Sequence, residues 1–241
     1  MRRLAMVLLL LLPGTAFADA KEDFRKAAGA GDVGTVKRLL AEDPSLAEGA
    51  VQAALFILVK GEGFLPPQEN EILKMVVAAK PKLDLYDAAA VGSAEQVAAM
   101  LRADKDAVRA KNQFGWTALH VAAFAGNVET ARVLIDAGAD IHVRAKTRFR
   151  NTPLQVALLT GQYGTAKLLL ERGADPLDRQ AGGFAPIHEA AFLGRADLVQ
   201  LLLDHGAELN SRSDDGRTAI AEAERGKHEA VAKLLREKGA K

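Results

Sequence analysis

The chain has 241 residues, is 49% hydrophobic and carries a formal charge of +1. So even a balance argues against a nucleic-acid grip, and the absence of cysteine excludes disulfides, thiolate metal sites and a cysteine nucleophile. Aromatics are only 5% while alanine and leucine are plentiful, which favours helices over a large sheet.

Residues 1–20, "MRRLAMVLLLLLPGTAFADA", begin with Arg2 and Arg3 and continue as an apolar run from Leu4 to Leu12. Pro13 and Gly14 break the run, and Ala16-Phe17-Ala18 and Ala18-Asp19-Ala20 follow. This is the order of a secretory signal peptide, 1–18, with cleavage expected after Ala18 and Ala20 as the other small-residue site. The run falls short of the ~20 residues a spanning helix needs. Loss of Arg2 and Arg3 takes the charge from +1 to −1. The mature chain is expected to be exported, periplasmic in a Gram-negative cell, with no integral membrane segment.

Residues 19–111 read as an N-terminal cap and degenerate helical units. "FRKAAGAGDVGTVKRLLAEDPSLAE" from Phe24 runs Ala-Ala, glycine, then an apolar helix that Asp32 can cap. Val51–Lys60 and Gln68–Lys80 read as a second helix pair separated by "GEGFLPP". "LYDAAAVGSAEQVAAMLRADKDAVRAK" from Leu85 repeats the first order.

Four clear units follow, at 112–146, 147–179, 180–212 and 213–241. The equivalent residues Thr117, Thr152, Ala185 and Thr218 are 35, 33 and 33 apart. In the first unit Thr117 opens a short helix with Leu119, Ala122 and Ala123 on one face. Gly126 ends that helix, and Asn127 is placed to cap the next, which carries Val128, Ala131, Val133, Leu134 and Ile135. Gly138, Gly173, Gly206 and Gly239 read as left-handed stops. One such pair cannot cover its own apolar faces; stacked pairs can, which predicts a solenoid.

Thr117-Ala-Leu-His120, Thr152-Pro-Leu-Gln155, Ala185-Pro-Ile-His188 and Thr218-Ala-Ile-Ala221 resemble the T-P-L-H element of the ankyrin repeat family. Gly138-Ala-Asp140, Gly173-Ala-Asp175 and Gly206-Ala-Glu208 resemble its G-A-D element. The departures are Gln155 and Ala221 in place of His, Arg150 in place of the turn glycine, and Gly226 one position early. The resemblance implies a mainly α ankyrin solenoid of helix pairs with short extended turn tips, about six to seven repeats. It also implies a histidine that hydrogen-bonds turn backbone, and a non-catalytic module that binds another protein through its concave face. Exported proteins of this look suggest a monomer that supports a stress-related enzyme or acts as an immunity protein.

No catalytic constellation emerges. Ser45, Ser93, Ser211 and Ser213 lie outside any G-x-S-x-G context, and His188-Glu189 is followed by Ala-Ala-Phe rather than the second histidine of H-E-x-x-H. His120 and His188 sit two units apart, too far for one ion at ~10 Å per unit. The chain is therefore expected to be no enzyme, with neither metal nor cofactor.

The aromatics point elsewhere. Mapped onto the resemblance, Phe114, Trp116, Phe149 and Phe184 fall on turn tips and Phe124 and Phe192 on the helices below, positions that face a partner. Rigid rings of this kind often contribute ~2 kcal/mol or more each at a hot spot. Packing between repeats is the competing expectation, for Phe124 and Phe192 first and for Trp116 and Phe184 less so. The connection "VRAKTRFRNT" also sets Arg144, Lys146, Arg148 and Arg150 at alternate positions, on one side of an extended chain. They read either as a cationic rim that steers an acidic partner, or as a solvated loop. The alternative function is binding of an anionic small ligand or anionic lipid surface through this tip, residues 144–150.

Overall fold

The computed structural model describes residues 19–47, 50–51, 58–59, 63–64, 70–79, 82–112, 114–147 and 149–241. The proposed leader, 1–18, and Arg148 lie outside the described residues.

The architecture is a stack of helix pairs. In chain order the helices are α1 (Asp19–Ala30), α2 (Val33–Glu42), α3 (Glu71–Ala78), α4 (Leu85–Val91), α5 (Ala94–Ala103), α6 (Ala118–Ala125) and α7 (Val128–Asp136). Then come α8 (Pro153–Leu159), α9 (Tyr163–Glu171), α10 (Pro186–Phe192), α11 (Ala196–Asp204), α12 (Ala219–Arg225) and α13 (Glu229–Glu237). From α4 onward the first helices stack in one row, α4–α6–α8–α10–α12, and the second helices in another, α5–α7–α9–α11–α13. Leu119, Ala122 and Ala123 are fully buried, as the sequence pattern requires.

The expected helix at Val51–Lys60 is corrected at its end. Leu58–Val59 pairs antiparallel with Gly63–Phe64. The local composition accounts for it: Leu58, Val59 and Phe64 are apolar, and β-branched and aromatic residues of this kind favour strands. The rest of that range falls largely outside the described residues.

Asp32 caps α2, accepting from the Thr35 amide at 3.0 Å. Asn127 does not cap α7 with its side chain. Its Nδ2 instead donates back to the carbonyls of Ala89 and Ala90, at 2.9 and 2.8 Å. Those carbonyls end α4, where no intrahelical partner remains. Gln162 does the same for the Phe124 carbonyl at 3.3 Å, and Arg195 for the Gly161 carbonyl at 2.6 Å. The helices α7, α9 and α11 thus open with a side chain that completes the preceding repeat, and the stack is held by hydrogen bonds as well as apolar packing.

Each turn tip closes on itself. The amides of Asn112, Gln180 and Ser213 donate to the carbonyls of Trp116, Phe184 and Arg217, at 2.9, 3.0 and 2.9 Å. In the remaining tip Ala145 donates to Asn151, which encloses two more residues than the other tips. Gly115, Gly183 and Gly216 hold the left-handed corner, and Arg150 occupies it in the long tip with φ 53°. Adjacent tips join through single backbone bonds: Lys146 to Phe114 at 2.6 Å, Asp214 to Gly182 at 3.0 Å, Ala181 to Phe149 at 3.5 Å. The longest lies beside Arg150. A Cβ on Gly115 would sit 2.6 Å from the next tip's backbone and one on Gly183 2.7 Å. Arg150 carries at this corner the Cβ that Gly115 and Gly183 lack.

Candidate partner-binding face

The turn tips and first helices form one continuous surface. Beneath it, the T-P-L-H elements act as rivets. His120 Nδ1 accepts the Thr117 amide at 3.1 Å, so Nε2 carries the proton and donates to the Asn151 carbonyl at 3.2 Å. His188 repeats this, with Nδ1 accepting from the Ala185 amide and Nε2 reaching the carbonyls of Ser211 and Arg217. Gln155 does the same work without a ring: Oε1 accepts the Thr152 amide at 3.0 Å and Nε2 donates to the Asp178 carbonyl at 2.7 Å. Both ring nitrogens of each histidine are therefore engaged with backbone. Burial pushes the His120 pKa down to about 4.

The aromatics divide into two groups. Trp116 is 9% exposed and Phe124 2%, so neither presents the surface expected of a partner anchor. Trp116 stacks on His120 at 5.7 Å and meets Phe124 at 6.0 Å, closing over the rivet. The reason is volume: small alanines on α6 leave room that these rings fill. Phe114, Phe149, Phe184 and Phe192 are half-buried. Phe184 lies 4.7 Å from the Arg217 guanidinium and Phe192 4.3 Å from that of Arg225.

The cationic strip does not form one face. Arg144 folds back, pairs with Asp178, and donates to the carbonyls of Arg150 and Arg179 at 3.2 Å. Arg179 does likewise one repeat on, to the carbonyls of Gly183 and Arg212, and Arg212 reaches Gly216. Arg144 is thus one rung of a repeated arginine ladder, not a rim charge. Past Lys146 the chain turns rather than running extended, because the tip must close at Asn151. Lys146 and Arg150 are exposed.

A second set of side chains lies in the first helices. Val121, Val156, Glu189 and Glu222 occupy one repeat position. The valines are 0% and 1% exposed and Glu222 is 1%. Glu222 is neutralised by Arg217 at 2.9 Å and by Arg225, whose Nε donates at 3.0 Å. Arg217 also holds Asp215, at 2.7 Å, well below the usual carboxylate range, with Ser213 assisting. Glu189 has no such partner. The residue is part-exposed, but its Oε2 is buried without a hydrogen bond, and burial pushes the carboxyl up to about 8. Two glutamates in a register otherwise filled by valine were the signal available in the sequence.

Among the described residues no helix is long and apolar enough to cross a membrane, and no group of three or more His, Cys, Asp or Glu is placed to hold a metal ion. The fold and its riveted tips define a helical repeat protein built to present a surface. The family model for ankyrin repeats (3 copies) matches residues 85–180 and 176–241, more than half of the chain. The chain belongs to the ankyrin repeat family, whose repeats are generally non-catalytic protein–protein interaction modules. No match was found among curated proteins.

Proposed function

We propose that this chain is an exported, non-catalytic scaffold that binds one partner protein through the face made by its turn tips and first helices. The observation that carries this reading is the pair Phe184 and Phe192. Each is half-buried with a guanidinium stacked on it, so two adjacent aromatic platforms stand at the tip and on the helix of one repeat. Phe114 and Phe149 extend the apolar row, and Lys146 and Arg150 supply the charged edge. Apolar anchors ringed by polar groups are the pattern that dominates affinity at protein interfaces, with rim charges acting mainly on association rate. Export rests on the order of residues 1–20. A stress-related enzyme and a toxin are the two partner types this reading entertains.

The test is cross-linking in the native compartment followed by identification of the captured partner. Phe184→Ala with Phe192→Ala should abolish capture and leave the helical signal intact. Unchanged capture would remove this face from consideration. Cell fractionation checks export: the chain should appear in the exported fraction, shortened by the length of its leader.

A further inference from the structure

The carboxyl of Glu189 takes no part in the hydrogen bonds that hold the repeats together. It stands on α10 where two other repeats place buried valines, and its Oε2 is buried with no hydrogen-bond partner. Leaving such an acceptor unmade is costly, and folded chains rarely do so without use. Glu189 and Phe192 are three residues apart on α10 and so share a face, with Phe184 on the tip that leads into the same helix.

The charges around Glu189 settle which chemistry fits. The adjacent network of Asp215, Arg217, Glu222 and Arg225 is balanced within itself, two carboxylates against two guanidiniums. From the other helices packed on α10, α8 brings no titratable side chain. Asp197 and Asp204 on α11 are exposed and engaged with Arg195 and Gln200. Glu224 on α12 pairs with Arg236. An ionised Glu189 is therefore the charge this neighbourhood leaves uncompensated, which agrees with burial alone setting its shift. Phe184 and Phe192 already show what rings on this face accept, since each carries a planar guanidinium. Arginine suits a carboxylate flanked by aromatic faces better than lysine does, because its fork pairs in two places and its plane stacks.

We propose that Glu189 is the receptor for an arginine side chain of the partner protein, inserted beside Phe184 and Phe192. This rests on the reading of the face given above and names the partner group that it selects. The part exposure of Glu189 leaves its carboxyl open to such a pairing.

The experiment uses the full chain with carbon-13 in its glutamates, titrated with N-acetyl-arginine amide and, separately, with its citrulline counterpart. The expected result is a saturable shift of the Glu189 carboxyl carbon with the arginine probe and none with citrulline. Glu189→Val, which installs the side chain other repeats carry there, should weaken the probe at least tenfold. Glu189→Gln, of the same shape, should do likewise. An equal response to citrulline, no saturable shift, or unchanged binding by both variants would each overturn the proposal. If that happens while the double alanine at Phe184 and Phe192 still abolishes partner capture, the arginine receptor alone is wrong. If capture also survives the double alanine, the face falls with it.

Discussion

Arg144 and Asp178 form an ion pair across a repeat boundary, 34 residues apart in the chain. Their side chains are 31% and 22% exposed, so water screens the pair only in part. Burial raises the Asp178 carboxyl, and Arg144 works against that rise without reversing it. The pair serves geometry as much as charge, because the same guanidinium satisfies two carbonyls of the long tip and the next repeat.

Arg144→Ala should therefore cost more than a surface ion pair does, on the order of 2 kcal/mol, since it strands a carboxylate and two carbonyls together. A double-mutant cycle with Asp178→Ala, read by urea denaturation, checks this. Independent effects of the two changes would show that the pair is not coupled.

Arg150 and Lys227 adopt left-handed backbone, at φ 53° and 61°. Lys227 does so because Gly226 sits one position early and takes ordinary helical angles instead. Lys227→Gly should stabilise the chain by about 1 kcal/mol, visible as a higher melting temperature. Arg150→Gly should do the same and also let the next tip approach, which amide exchange at Ala181 would report as slower.

Glu189 predicts an unusual pH dependence. Its folded pKa of about 8 lies above its ordinary value of 4.5, so between these the folded chain keeps a proton that the unfolded chain has released. The stability it contributes is complete below the lower value and is lost as pH rises to the upper one, by at most ~1.4 kcal/mol per pH unit. Glu189→Gln should flatten that slope in denaturation midpoints measured across the window. A wild-type slope retained in the variant would show the carboxyl to be solvated.

His120 acts in the opposite direction. Its pKa falls from 6.5 to about 4 on burial, so its contribution is present above the ordinary value and is lost as pH drops through this window. His120→Gln copies the bonding of Gln155 one repeat later and should leave neutral-pH stability within ~1 kcal/mol while raising acid resistance. Acid denaturation midpoints of the two proteins decide it.

The repeat period, the helix pairs, the left-handed stops and the two-residue enlargement of one tip were all readable in the chain. They depend on near neighbours: glycine at a forced φ, a cap before a helix, an apolar stripe every third or fourth residue. The exposure of the rings was not readable. Trp116 and Phe124 carry the same letters as surface anchors, and only the position of α6 against His120 and the next tip buries them. Arg144 shows the other side of this. Arg179 and Arg212 hold its place in later repeats, a periodicity visible in the chain itself, yet alternation along the strip suggested a shared face.

What the amino-acid order determined by itself was the family, the register of the repeats and the places where the backbone must turn left-handed, since each follows from short-range sterics and periodic burial. Tertiary structure alone decided which side chains remain for a partner. A side chain's surroundings are set by residues some 33 positions away, brought close only when the repeats stack. That contact turned Asn127 from a cap into a brace, Arg144 from a rim charge into a rivet, and Glu189 from one more polar helix residue into a buried carboxyl without a partner.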